Sequence, residues 1–220
     1  MSKWVYLLLL ASCSLFAGAQ ETAVITDWIA MGSGCRGRAS DLGDLRMNVQ
    51  QDSKNPLRWE VNFNMGSYSL SGDKPIRSTN QSFARECSLR FAVKPPPLTR
   101  IKSVEAKTSL KVSKDKNVKA QIHSRLFSVQ GSLVDWERVF DADTTVKDET
   151  IDMHLLPNAV GKKILSESIC GAPKILGADF SFENHRTSFK DKVQIKHGAS
   201  YGLNFIVYLE NCKAADLKGK

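Results

Sequence analysis

The sequence predicts an all-β fold, an antiparallel β-sandwich of immunoglobulin-like or jelly-roll-like type held by disulfide bonds. Three observations predict it. Apolar and polar residues alternate with period two along much of the chain, the pattern of strands with one face on a core and one in water. Helical periodicity is confined to short stretches. Four of the cysteines, Cys35, Cys87, Cys170 and Cys212, are spread behind an export signal, which reads as two staples for an extracellular domain.

In chain order, residues 1–19 come first. Met1-Ser2-Lys3 is a positive head, Trp4 to Phe16 is nearly all apolar, and Ala17-Gly18-Ala19 is a small-x-small cleavage site. This is the order of a secretory signal peptide, and the apolar run is too short for a membrane-spanning helix, which needs about 20 residues. Leu10-Ala11-Ser12-Cys13 supplies an alternative, a lipoprotein-type site that would leave the chain lipid-anchored through Cys13. Cleavage after Ala19 leaves residues 20–220 as a single β-sandwich domain, secreted or periplasmic. The four remaining cysteines allow three pairings. Cys35–Cys87 with Cys170–Cys212 is preferred, because each bond then closes a moderate loop within one half of the chain. Free buried thiols are the alternative, and a zinc site lacks any C-x-x-C spacing.

Asp41 to Gln51 reads equally as a short helix or as a strand through Leu45, Met47 and Val49. Trp59, Val61, Phe63 and Met65 alternate with polar neighbours, as do Cys87, Leu89, Phe91 and Val93. Pro95-Pro96-Pro97 is a stiff connection. Val104 to Val112 alternates again, and Val118 to Ser124 continues after a polar turn, so residues 101–129 read as a long hairpin. Residues 158–169 are the best short-helix or loop candidate. Leu203, Phe205, Val207 and Leu209 form a last strand that ends at Cys212. The total is roughly eight to ten strands.

Three local patterns together resemble the secreted proteins grouped as "domain of unknown function 4360". They are Gly32-Ser33-Gly34-Cys35; Arg85-Glu86-Cys87-Ser88-Leu89 followed by Pro95-Pro96-Pro97 and a strand with Ile101 and Val104; and Cys170-Gly171 before another alternating strand. Arg36 departs from the proline usual in that family after the first cysteine. The resemblance implies export, disulfides and a β-rich domain. It implies no activity.

The formal net charge of +8 marks a basic protein. Its densest lysine run holds Lys102, Lys107, Lys111, Lys114, Lys116 and Lys119, which strand periodicity places mostly on a solvent face or in a turn. Such charge permits attraction to anionic polymers or membrane surfaces without specifying either. Nucleic acid is not an expected partner of an exported chain with no nucleic-acid module.

Chemical motifs are sparse. The histidines His123, His154, His185 and His197 form no i, i+2 or i, i+4 pair and read as scattered surface residues. Asp141 and Asp143 in Asp141-Ala142-Asp143 are a weak calcium candidate, but the glycine and terminal glutamate of a calcium loop are missing. No Gly-x-Ser-x-Gly elbow marks a serine nucleophile. Glu60, Glu105 and Asp179 lie on or near strands, though nothing in the sequence selects a pair of them for glycoside hydrolysis. Trp28, Trp136, Tyr201 and Tyr208 are candidate ligand-facing aromatics, with covering of the core rim as the alternative. No catalytic residue, metal or cofactor is assigned. The sequence reading is therefore a monomeric, exported, non-catalytic binding or coat module for glycan or cell-envelope polymer. A secreted hydrolase acting on cell-wall or polysaccharide material is the alternative.

Overall fold

Strand alternation builds two antiparallel sheets packed face to face. The computed structural model describes residues 23–32, 46–64, 82–188, 190–197 and 202–213; residues 1–22 with Cys13, and also Cys35 and Tyr201, lie outside these. The strands are β1 (Val24–Met31), β2 (Arg46–Gln51), β3 (Arg58–Asn64), β4 (Ser82–Lys94), β5 (Thr99–Lys114), β6 (Val118–Ser128), β7 (Gly131–Phe140), β8 (Val146–Leu155), β9 (Lys174–Arg186), β10 (Val193–His197) and β11 (Gly202–Asn211). One helix, α1 (Ala159–Ser166), lies between β8 and β9. The described residues thus hold eleven strands, more than expected. The surplus includes β7 and β8, edge strands with only two buried residues each, which therefore alternate weakly.

One sheet has the order β1-β4-β9-β6-β7. The other runs β2-β3-β11-β5, with β8 on the far edge of β5 and β10 end to end with β11 along its near edge. Residues 101–129 are therefore not a hairpin. β5 belongs to the six-stranded sheet and β6 to the five-stranded one, so the Asp115–Asn117 turn is an arch across the core. Its amides bond outward, Asp115 N to Lys192 O at 2.9 Å and Asn117 N to Ala142 O at 2.6 Å. Alternation assigns each strand an inner face, but a hairpin and an arch share that pattern.

The core is one cluster between the sheets. Phe63 of β3 and Phe205 of β11 meet Phe91 of β4 with ring centroids 5.5 and 4.7 Å away, at tilted and edge-on angles that suit aromatic quadrupoles. Each of the three rings has 0% exposure. Of the segment Asp41 to Gln51, read as helix or strand, the described part Arg46–Gln51 is a strand, β2, and residues 41–45 lie outside the described residues.

Of the short-helix or loop reading for residues 158–169, the helix forms over Ala159–Ser166 as α1. Asn158 caps it, its Oδ1 accepting from Gly161 N at 2.9 Å, which satisfies one of the otherwise unpaired first-turn amides. A side chain at Gly161 would lie 2.3 Å from Leu133 O, so only glycine lets the helix dock on β7.

Cys170 and Cys212 are bonded, with Cα atoms 6.3 Å apart. The bond clamps the chain end to the proline turn, where Cys212 N donates to Leu98 O and Gly171 N to Thr99 O, both at 2.8 Å. Cys87 is also disulfide-bonded; Cys35, its expected partner, lies outside the described residues.

Candidate functional site

On the outer face of the six-stranded sheet, strand register assembles a row that no local motif announces. Asn48 pairs with Asn62, Asn62 with Asn204, Asn204 with Lys107, and Lys107 with His154. Each residue sits at a polar position of an alternating strand. Adjacent strands lie about 4.8 Å apart, so the five strands carry this row across roughly 19 Å. The row lines an open groove of about 780 Å³, together with Phe63, Thr108, Ser109, Asp152, Met153 and Gly202.

Two features distinguish the groove from a merely solvated sheet face. Asn204 Oδ1 is buried and accepts no hydrogen bond, although buried acceptors are nearly always satisfied. The next rung, Gln50–Glu60–Ile206–Glu105, places Ile206 on the outer face, yet Ile206 is only 4% exposed and lies outside the core cluster. The outer face thus carries one buried apolar residue in the rung beside the groove, between polar walls.

Ion pairs fix those walls. Glu105 Oε2 meets His154 Nε2 at 2.8 Å and Lys107 Nζ at 3.7 Å. Glu60 is held by Arg58 at 2.5 Å, and Arg58 also reaches Asp52 at 3.0 Å. Tyr208 pairs across the strands with Arg58. Its hydrogen bond is the largest influence raising the Arg58 pKa further above the ordinary guanidinium value, helped by Glu60 and Asp52 and opposed by burial. The Asp52 carboxyl is lowered, chiefly by the Lys54 amide that it caps.

The sequence candidates are dispersed. Tyr208 lies half-buried on this outer face, one rung beyond Ile206. Trp28 packs edge-on against Phe63 with centroids 6.0 Å apart, and Trp136 packs partly buried against the core. Tyr201 lies outside the described residues. Glu60 and Glu105 share one rung, whereas Asp179 sits on the outer face of the other sheet, paired with Arg125.

The Asp141–Thr144 loop surrounds a lysine. Lys114 Nζ donates to Asp141 O at 2.6 Å and Thr144 O at 2.5 Å, while Asp143 and Asp141 raise its pKa against a larger lowering by burial. Among the described residues, no cluster of three His, Cys, Asp or Glu is arranged to hold a metal ion. Lys114 also departs from the rest of the lysine run: it is 2% exposed, while Lys102, Lys107, Lys111, Lys116 and Lys119 face solvent.

Asn48, Asn62, Asn204, Lys107 and His154 were not singled out as ligand-facing by sequence. Each is an ordinary polar residue on an alternating strand. Their relation exists only in the pairing of β2, β3, β11, β5 and β8, which come from distant parts of the chain.

The sequence matches no protein-family model and no curated protein. Among solved structures it is similar to the carbohydrate-binding module TmCBM61 in complex with beta-1,4-galactotriose, at 12% identity over 84% of this chain and 89% of that one, with a TM-score of 0.27. It is also similar to the enzymatically active domain of bacteriophage CBA120 tailspike protein 4, at 10% identity over 81% of this chain and 19% of that one, with a TM-score of 0.25. Likenesses this distant carry no functional argument, so the reading below rests on the chain's own side chains. No helix among the described residues is long and apolar enough to cross a membrane.

Proposed function

We propose that this protein is an exported binding module that lays a polysaccharide chain across the outer face of its six-stranded sheet. The observation that carries the reading is the in-register row Asn48–Asn62–Asn204–Lys107–His154 with its buried, unpartnered Asn204 Oδ1. Amide side chains both donate and accept, which matches the hydroxyl groups of sugars. A strand spacing near 4.8 Å presents one such group per step, close to the length of one sugar ring. The Cys170–Cys212 bond supports an oxidising compartment. Membership among the domain-of-unknown-function-4360 proteins, with cleavage after Ala19, completes the proposal.

A hydrolase reading has one observation in its favour. Glu60 and Glu105 flank Ile206 in a single rung, which separates their Cα positions by about 10 Å, near the wide limit for an inverting carboxylate pair. Both are already engaged, Glu60 by Arg58 and Glu105 by Lys107 and the His154 ring. That suits them to ordering the neighbouring side chains rather than to protonating a leaving group. Affinity electrophoresis of the purified domain against neutral and acidic polysaccharides, with product analysis of the same samples, separates the readings. Retardation without cleavage, weakened in Asn62→Ala and Asn204→Ala, is the expected result. Cleavage abolished in Glu105→Gln would replace binding with hydrolysis, and absence of retardation by every polymer would refute both.

A further inference from the structure

The outer face of the five-stranded sheet carries a second built feature, independent of the groove above. Phe127 projects from this outer face, yet it is 8% exposed and lies outside the core cluster. It rests on Gly177, its cross-strand partner; a Cβ there would lie 2.6 Å from the Phe127 ring. Two guanidiniums cover the ring, that of Arg90 at 5.3 Å and that of Arg125 at 5.5 Å from its centroid. Cation–π contacts of this kind hold a cationic fork in place.

The two arginines are employed differently. Arg125 is bound to Asp179, its Nε donating to Oδ2 at 3.0 Å. Arg90 contacts Ser88 Oγ at 3.4 Å, and no carboxylate among the described residues pairs with it. Beside them, Asp179 Oδ1 is buried and accepts no hydrogen bond. Arg90, Arg125, Asp179, His123, Ser181 and the already engaged Glu86 are among the residues that line one open groove of about 450 Å³. A guanidinium with no counter-ion among the described residues therefore stands near an unused carboxylate oxygen.

We infer that this groove binds a hydroxylated ligand that carries an oxyanion. Arg90 would receive the anionic group through its planar fork, while Asp179 Oδ1 would accept from a neighbouring hydroxyl. Uronic-acid residues and phosphate-linked polyols share this chemistry.

The test is calorimetric titration of the full mature chain with three probes: trigalacturonate, a glycerol phosphate trimer, and neutral galactotriose. Saturable, salt-sensitive binding of one or both anionic probes is expected, and the tighter of the two identifies the source of the anion. Arg90→Gln should weaken it about tenfold or more. Arg90→Lys, which keeps the charge but loses the fork, should recover only part of the affinity. Asn204→Ala, on the opposite sheet, should leave it unchanged, which separates this site from the proposed polysaccharide face. The inference is overturned if neither anionic probe binds, if galactotriose binds equally well, if Arg90→Gln has no effect, or if Asn204→Ala abolishes binding.

Discussion

Asn204 offers a direct way to separate what the chain needs to fold from what it keeps for a ligand. It sits on β11, between β3 and β5, and its Oδ1 is buried without a donor. An unsatisfied buried acceptor costs about 1–3 kcal/mol, and a central strand favours a β-branched residue over asparagine. Asn204→Val should therefore stabilise the fold by about 1–2 kcal/mol. For a chain of this size that corresponds to a rise in Tm of about 2–4 °C per kcal/mol. The same substitution should weaken polysaccharide binding about tenfold or more, because the bound chain loses the amide that it satisfies. Urea denaturation followed by tryptophan fluorescence gives the first quantity, with an unchanged m value as the control; titration calorimetry gives the second. Loss of stability with retained affinity would refute the reasoning, since it would make the amide a structural partner and not a ligand group.

Three further outcomes are expected. Cys170→Ser/Cys212→Ser opens a bond that spans 42 residues, and equilibrium unfolding should show a loss of about 4 kcal/mol in the chain-entropy treatment. Gly177→Ala would place a Cβ 2.4 Å from Leu89 O and 2.6 Å from the Phe127 ring; an unfolding curve should show destabilisation of about 1–3 kcal/mol, together with weaker binding of the anionic probe. Burial lowers the pKa of both Lys114 and Lys174 below the ordinary lysine value of 10.5. The charged forms therefore penalise the fold at neutral pH, and the penalty fades as pH rises from the folded pKa to the unfolded one. The stability of the native chain relative to Lys114→Met/Lys174→Met should accordingly increase between neutral pH and about 10.5, as measured by paired denaturation curves; a flat or falling difference would contradict the burial argument.

Local alternation was enough to place β3, β5, β6 and β11, because Val61, Phe63, Val104, Leu110, Ile122, Phe205 and Val207 all face the core and are at most 1% exposed. The helix was legible only as a short-helix or loop candidate over residues 158–169, and the Asn158 cap that starts it is a finding of the structure. Edge strands β7 and β8 were illegible, because strands with only two buried residues each lose most of the apolar half of the pattern. The arch at Asp115–Asn117 was misread as a hairpin, since both connections join strands of identical periodicity, and the choice is made by outward bonds to Lys192 and Ala142. The candidate site was the least legible part. Asn48 and His154 belong to one row only because β3, β11 and β5 lie between their strands, and register across long sequence separations leaves no local trace.

Amide chemical-shift mapping of the isotope-labelled domain, titrated with whichever polysaccharide fragment it retains, tests the central claim most directly. The expected result is a contiguous band of shifts at Asn48, Asn62, Asn204, Lys107 and His154, with the core-facing Trp28 and Trp136 undisturbed. Shifts confined to loops or to the five-stranded sheet, with that row silent, would contradict the proposed binding face.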